Sequence, residues 1–216
     1  FEVNGFLYGL DDGALVCLDA GTGELKWKGE RFGHGQMILV AGQLLFNVWA
    51  ALKRNRRVDV GPHVTFYFEN WDTMWMQVQE MLYIEKGGDE QLVDELQAYN
   101  PLVPKGRELC ATFMIEIDEP ERRKRILGRL GGIEESAFVT VNGEKVMGAS
   151  EEDTDRTSAE GKASSVQFVH FAFTPAQIEA FKKPGAQIVV GFEHANYAHM
   201  SVLPENVRAA LAADFD

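Results

Sequence analysis

VTFYFENWDTMWMQVQEMLYIEK, residues 64–86, reads as a strand that runs straight into a long helix. Val64 to Phe68 is rich in β-branched and aromatic side chains, which suit a pleated, half-buried surface. The period then changes. Asn70 or Asp72 can accept hydrogen bonds from the free amides of a first helical turn, and good helix formers continue to Lys86, where Gly87-Gly88 stops them. At about 100° per residue, Met74, Trp75, Val78, Met81 and Leu82 share one broad side, whereas Thr73, Gln77 and Glu80 form a narrow polar stripe. This pattern predicts a mostly buried helix. Glu69 stands at the strand-to-helix corner on the side of the stripe, so two carboxylates, an amide and a hydroxyl are expected to converge there.

Upstream, Val58 to Phe68 predicts one strand bent at Gly61-Pro62-His63. Downstream, DEQLVDELQAY predicts a second helix that stops at Asn100-Pro101. Glu108–Ile117 alternates as a strand, Pro120–Leu130 reads as a charged amphipathic helix, and Asn142-Gly143 inside Ala137–Met147 is the strongest hairpin signal in the chain. Residues 149–164 are acidic, small and polar, which predicts a mobile loop. Val166–Phe173 is a strand, Pro175–Lys182 a helix begun by Thr174, Gln187–Glu193 a strand, and ENVRAALAADF a last helix. Strands outnumber crossovers and include a clear hairpin. The expected class is therefore α+β, a mainly antiparallel sheet packed with helices.

Residues 1–46 read differently, as a β-meander of four to five short strands: NGFLYGL, ALVCLD, ELKWKG and QMILVAGQLLF, the last a pair broken at Gly42. Asp12-Gly13 and Gly21-Thr22-Gly23 supply the positive φ angles that tight hairpins require, and His34 reads as a turn residue. Residues 47–57, NVWAALKRNRR, predict a junction helix with a basic end, and 58–216 form the α+β domain.

The chain has 216 residues, 45% of them hydrophobic, enough for one good core plus a small appendage. With 21 basic against 33 acidic residues its formal charge is -12, a field that repels phosphate backbones and anionic membranes, so neither nucleic acid nor membrane is an expected partner. Cys17 and Cys110 sit far apart in strand-like runs with no metal-ligand spacing. They read as small buried hydrophobes, which fits a reducing, cytoplasmic compartment. No apolar run approaches the length of a membrane span and no signal peptide precedes the first strand, although Phe1 is not a natural start.

Two resemblances add to this reading. LYGLDDGALVCLDAGTGELKW resembles one blade of the PQQ-like, quinoprotein-type β-propellers, with Asp19, Thr22, Gly23 and Trp27 where that family's AxDxxTGxxxW motif places them and Cys17 in place of its alanine. Cofactor binding in such propellers draws on the axis of a complete ring of blades, so PQQ is not expected here. Residues 50–216 resemble the uncharacterised domain-of-unknown-function 3501 family. The matching positions include Arg56, Arg57, Gly61, Pro62, Phe68, Glu69, Asn70, Thr73, Gln77, Glu80, Met81, Tyr99, Asn100, Pro104, Glu108, Thr112, His170, His194 and Tyr197. This resemblance implies a soluble bacterial protein in a redox or oxidative-stress setting, and assigns no mechanism.

Two function classes stay open, an accessory or binding module first and an enzyme as its alternative, and a third reading makes the chain a fragment of a PQQ-like propeller scaffold protein. A metal-dependent or redox enzyme needs nitrogen and oxygen ligands converging from separate elements, and Glu69, Glu80, His170 and His194 are the candidate set for a divalent metal, with Glu193 and His199 nearby in sequence. No HxxxH or HExxH spacing occurs, and each histidine or carboxylate also has a structural reading. Cys110 has no histidine at any motif spacing, and no GxSxG, GxGxxG or GxxxxGK run appears. The other class is an accessory or binding module, docking an oxidoreductase partner or a second copy of itself through the acidic loop at 149–164 or an open sheet edge.

Overall fold

The computed structural model describes all residues except 1, 4, 12–13, 32–38, 41–42, 45–52, 151–156 and 159–160. The chain divides into two compact units, Phe1–Arg54 and Asn55–Asp216.

In the first unit β1 (Glu2–Val3), β2 (Phe6–Asp11), β3 (Ala14–Asp19) and β4 (Leu25–Arg31) form an antiparallel sheet in sequence order. β5 (Leu39–Val40) and β6 (Gln43–Leu44) pair separately. Asp19 builds the β3–β4 turn. Its Oδ1 accepts from the N–H groups of Gly21 and Thr22, each at 3.0 Å, and Gly23 follows at φ +71°. The Thr22 amide and hydroxyl, then the Gly21 amide, hold the Asp19 carboxyl below its ordinary pKa. The turn at Asp12-Gly13, His34 and most of the junction helix expected over 47–57 lie outside the described residues; Lys53 and Arg54 are helical.

The second unit holds two antiparallel sheets. The first has the order β12 (Ala149–Ser150), β13 (Val166–Ala172), β9 (Glu108–Ile115), β8 (Val64–Glu69), β7 (Arg57–Val60). The second runs β11 (Glu144–Met147), β10 (Ala137–Val141), β14 (Ile188–Phe192), β15 (Met200–Val202). Five helices join them: α1 (Trp71–Glu85), α2 (Gly88–Tyr99), α3 (Pro120–Leu127), α4 (Pro175–Lys182) and α5 (Glu205–Ala212). All strand pairs are antiparallel, and the class is α+β.

Alternation along the strands sends Phe66, Phe68, Leu109, Phe113, Val169 and Phe171 to one face of the five-stranded sheet, where they join the main core. Phe66 and Phe113 each place their rings 5.1 Å from that of Phe192 on β14, so the two sheets close face to face on aromatic side chains. Arg56 donates two hydrogen bonds to Asp214, at 2.7 and 2.5 Å, with both side chains buried. Arg208, also buried, donates to the Phe181 carbonyl at the end of α4 and to Glu205.

Several expectations change here. The bend at Gly61-Pro62-His63 is a hairpin turn that splits the expected single strand into β7 and β8. Gly61 takes φ +69°, and a Cβ there would lie 2.6 Å from His199 Cγ, so the turn needs glycine. The segment 149–164 is not wholly loop: Ala149–Ser150 pair with β13 and Thr157 bridges to Ala163. α1 is not mostly buried. Thr73, from the polar stripe, is 1% exposed, whereas Tyr83 and Ile84 are 56% and 60% exposed, and the buried residues of the helix all fall between Thr73 and Val78.

Candidate functional site

The second face of the five-stranded sheet carries the candidate site. In the register, Glu69 on β8 sits opposite Cys110 on β9, and Cys110 sits opposite His170 on β13. The three therefore form one row across three strands, all on the face away from the main core. Tyr67, Thr112 and Phe168 form the next row on the same face. Met74 and Leu102 pack on Cys110, with Tyr99, Val103 and Phe168 around them, so the α1–α2 hairpin and the turn that follows it roof part of the row.

Glu69 is 7% exposed and both its oxygens are occupied. Oε2 accepts from the Thr73 hydroxyl at 2.6 Å and Oε1 from the Thr112 hydroxyl at 2.7 Å. Asn70 fixes Thr73: its side chain accepts from Thr73 N–H at 2.9 Å, and the Thr73 hydroxyl accepts from Asn70 N–H at 2.9 Å, a reciprocal cap that starts α1. The FENxxT run thus ties strand, helix and neighbouring strand into one corner.

At the other end of the row Cys110 Sγ lies 3.8 Å from His170 Nε2, and His170 Nδ1 lies 3.7 Å from Glu108 Oε2. A carboxylate beside Nδ1 favours the proton on that nitrogen, which leaves the Nε2 lone pair facing the thiol. Cys110 is fully buried, while the His170 and Glu108 side chains are about one-fifth exposed. This is the order of a nucleophile, a base and a group that orients the base. Sequence spacing could not show it, because 60 residues separate thiol from imidazole and only the strand register brings them together.

The four candidate metal ligands are not assembled. Glu69 and His170 share the row, but Glu80 stands two helical turns beyond Thr73, roughly 10 Å along the axis. Glu80 and Gln77 both face Tyr99, whose hydroxyl pairs with Gln77; burial first, then Glu95, raise the Tyr99 pKa. His194 lies past the end of β14 in the other sheet. Its Nε2 donates to the Gly131 carbonyl at 3.2 Å and its Nδ1 accepts from Asn196 N–H at 3.2 Å, so both ring nitrogens are engaged by backbone groups. Glu193 pairs with Lys145, and His199 stacks edge-on against Tyr197 at 4.6 Å. Among the described residues no group of three or more His, Cys, Asp or Glu could hold a metal ion.

A cleft of about 210 Å3 opens on the outer side of the roof, between α1 and α2, lined by Trp71, Trp75, Val78, Leu92, Leu96 and Tyr99 with Met74 among its walls. Trp71 and Trp75 stack at 6.2 Å, and Trp71 is 62% exposed. From Trp71 to Tyr99 the hairpin carries seven carboxylates and one cation, Lys86. An apolar cleft on this acidic hairpin was not anticipated from the helical pattern, which placed Trp75 and Val78 in the core.

The family model for a protein of unknown function, DUF3501, matches residues 46–215. The chain belongs to the DUF3501 family. A crystal structure of a novel protein of unknown function from Burkholderia pseudomallei is 37% identical to this chain, with a TM-score of 0.71, covering 77% of this chain and 86% of that one. That likeness fits the α+β architecture. No curated protein matches the chain. The family match begins at residue 46 and leaves the meander outside it. No helix among the described residues is long and apolar enough to cross a membrane.

Proposed function

We propose that this DUF3501 protein is an accessory binding module whose α1–α2 hairpin receives a basic amphipathic helix of a partner protein, in the redox or oxidative-stress setting that the resemblance implies, with an oxidoreductase as that partner. The observation that carries this reading is the hairpin itself: a cleft lined by tryptophan, tyrosine and leucine, on a hairpin that carries seven carboxylates against one lysine. Apolar side chains at helical spacing would fill the cleft, and lysines or arginines beside them would meet the carboxylates of the hairpin. Self-association through the same face would set the seven carboxylates of one copy against those of another, which favours a basic partner over a second copy. α1 spans about 22 Å, the length of a helix of about 15 residues.

The test is a titration with a 15-residue Leu/Lys peptide of helical period, followed by tryptophan emission. Saturable binding that weakens with salt and is lost in Trp71→Ala supports the reading. No change in emission up to about 1 mM peptide, or equal binding of a Leu/Glu peptide of the same apolar pattern, refutes it. For residues 1–46 we keep kinship with a propeller blade as a proposal, supported by the four-stranded order and the Asp19-anchored turn. The enzyme reading draws on the Cys110 row, not on a metal quartet.

A further inference from the structure

We propose that Cys110 is a base-activated thiol that adds to small apolar electrophiles of the α,β-unsaturated carbonyl class, with His170 as its proton acceptor and Glu108 as the residue that positions the imidazole. Three independent features point the same way. The strand register sets Cys110 directly opposite His170, and Sγ lies 3.8 Å from Nε2, within reach of an S–H···N hydrogen bond. Glu108, two residues before Cys110 on the same strand face, lies 3.7 Å from Nδ1 and aims the other nitrogen at sulfur. The third is access. Cys110 is fully buried, and Met74, a flexible, unbranched side chain, belongs both to the cluster that covers it and to the lining of the α1–α2 cleft.

The strand register sets His170 on β13 and Glu69 on β8 beside Cys110, and Glu108 on β9 lies near the His170 ring. Glu69 accepts from the hydroxyls of Thr73 and Thr112, and the imidazole stands within hydrogen-bond reach of sulfur, which makes it the base of this proposal. In the reaction Sγ–H passes its proton to Nε2 and sulfur bonds to the β-carbon. The C=C π pair moves to the α-carbon, which takes the proton back from the imidazolium. Atoms and charge balance with no oxidant or second reactant. The cleft selects the electrophile: its walls suit an apolar or aromatic body, and the net negative charge of the hairpin disfavours anions.

The test uses the full chain with Cys17→Ser, so that Cys110 is the single thiol, and N-ethylmaleimide as the probe, with the labelled position read by mass spectrometry. The expected result is modification whose rate rises with pH to a plateau set by an imidazole, at a midpoint below the ordinary thiol value of about 8.5. His170→Gln lowers the rate at least tenfold, Glu108→Gln lowers it and moves the midpoint, and Met74→Ala raises it with the same pH profile. Rates that climb with sub-denaturing urea in step with global unfolding overturn the proposal, as do equal rates in the parent and His170→Gln. A profile that keeps rising through pH 8.5 overturns it in the parent protein alone, whether or not any variant folds.

Discussion

Replacing Tyr197 by Phe removes one oxygen and leaves the ring packing in place. That oxygen donates to the Val60 carbonyl at 2.8 Å and accepts from the N–H groups of His63 and Val64 at 2.9 and 3.1 Å. It thus satisfies three backbone groups of the β7–β8 turn from a residue more than 130 positions away. Tyr197 is 4% exposed and Val64 2%, so water reaches this corner poorly, although His63 is less enclosed. A buried backbone group left without its partner costs about 1–3 kcal/mol. With one of the three groups able to find water, the substitution is expected to cost roughly 2–4 kcal/mol in total. A domain of this size loses about 3 °C of Tm per kcal/mol, so the midpoint should fall by roughly 6–12 °C. Urea unfolding followed by circular dichroism should show a lower midpoint with an unchanged slope, and the amides of His63 and Val64 should exchange faster than in the parent. A loss under about 0.5 kcal/mol with both amides still protected would show that the hydroxyl does not hold the turn.

Two further outcomes follow from buried and surface charge. Arg56→Met leaves Asp214 buried without its bidentate partner and should cost about 3–5 kcal/mol in urea unfolding, whereas Arg56→Met with Asp214→Leu should recover most of that loss; a double variant no more stable than the single would contradict the pairing. The Glu205 carboxyl is held below its ordinary pKa by the hydrogen bonds and charge of Arg208. Because the folded value is the lower one, the contribution of this pair is fully present above the unfolded value and is lost as pH falls through the folded value. Carboxyl chemical shifts should therefore place the Glu205 midpoint below that of an unstructured peptide, and Arg208→Ala should return it.

Much of the fold is legible because period and punctuation agree. Asn142-Gly143, both at positive φ, make the hairpin their sequence announces, and Thr174 caps α4 with Gln177 as the capping pattern predicts. Legibility ends where a choice depends on what covers a face. The apolar side of α1 reads as core by period alone, yet the buried residues of the helix end at Val78, and Trp75 walls a cleft together with Trp71. The Cys110–His170 pair fails to show for another reason: a thiol and an imidazole 60 residues apart become neighbours only through the β9–β13 register, and sequence leaves register undetermined until both faces of the sheet are known.

The positions by which the chain resembles its family divide by the kind of partner each has found. Arg56 is matched to Asp214, Gly61 makes room for Tyr197 and His199, Asn70 and Thr73 cap a helix, and Tyr197 satisfies three backbone groups. His194 belongs with them, since both its ring nitrogens meet backbone atoms that never change their charge. His170 differs in kind. Its ring lies between a thiol and a carboxylate, both of which titrate, and part of it reaches solvent. A histidine whose partners are fixed can only hold structure together, whereas one set between two groups that gain and lose protons can carry a proton between them. That contrast is why the proposed thiol chemistry is placed on the sheet face beneath the α1–α2 hairpin rather than at the end of β14, even though both histidines sit in the same family pattern.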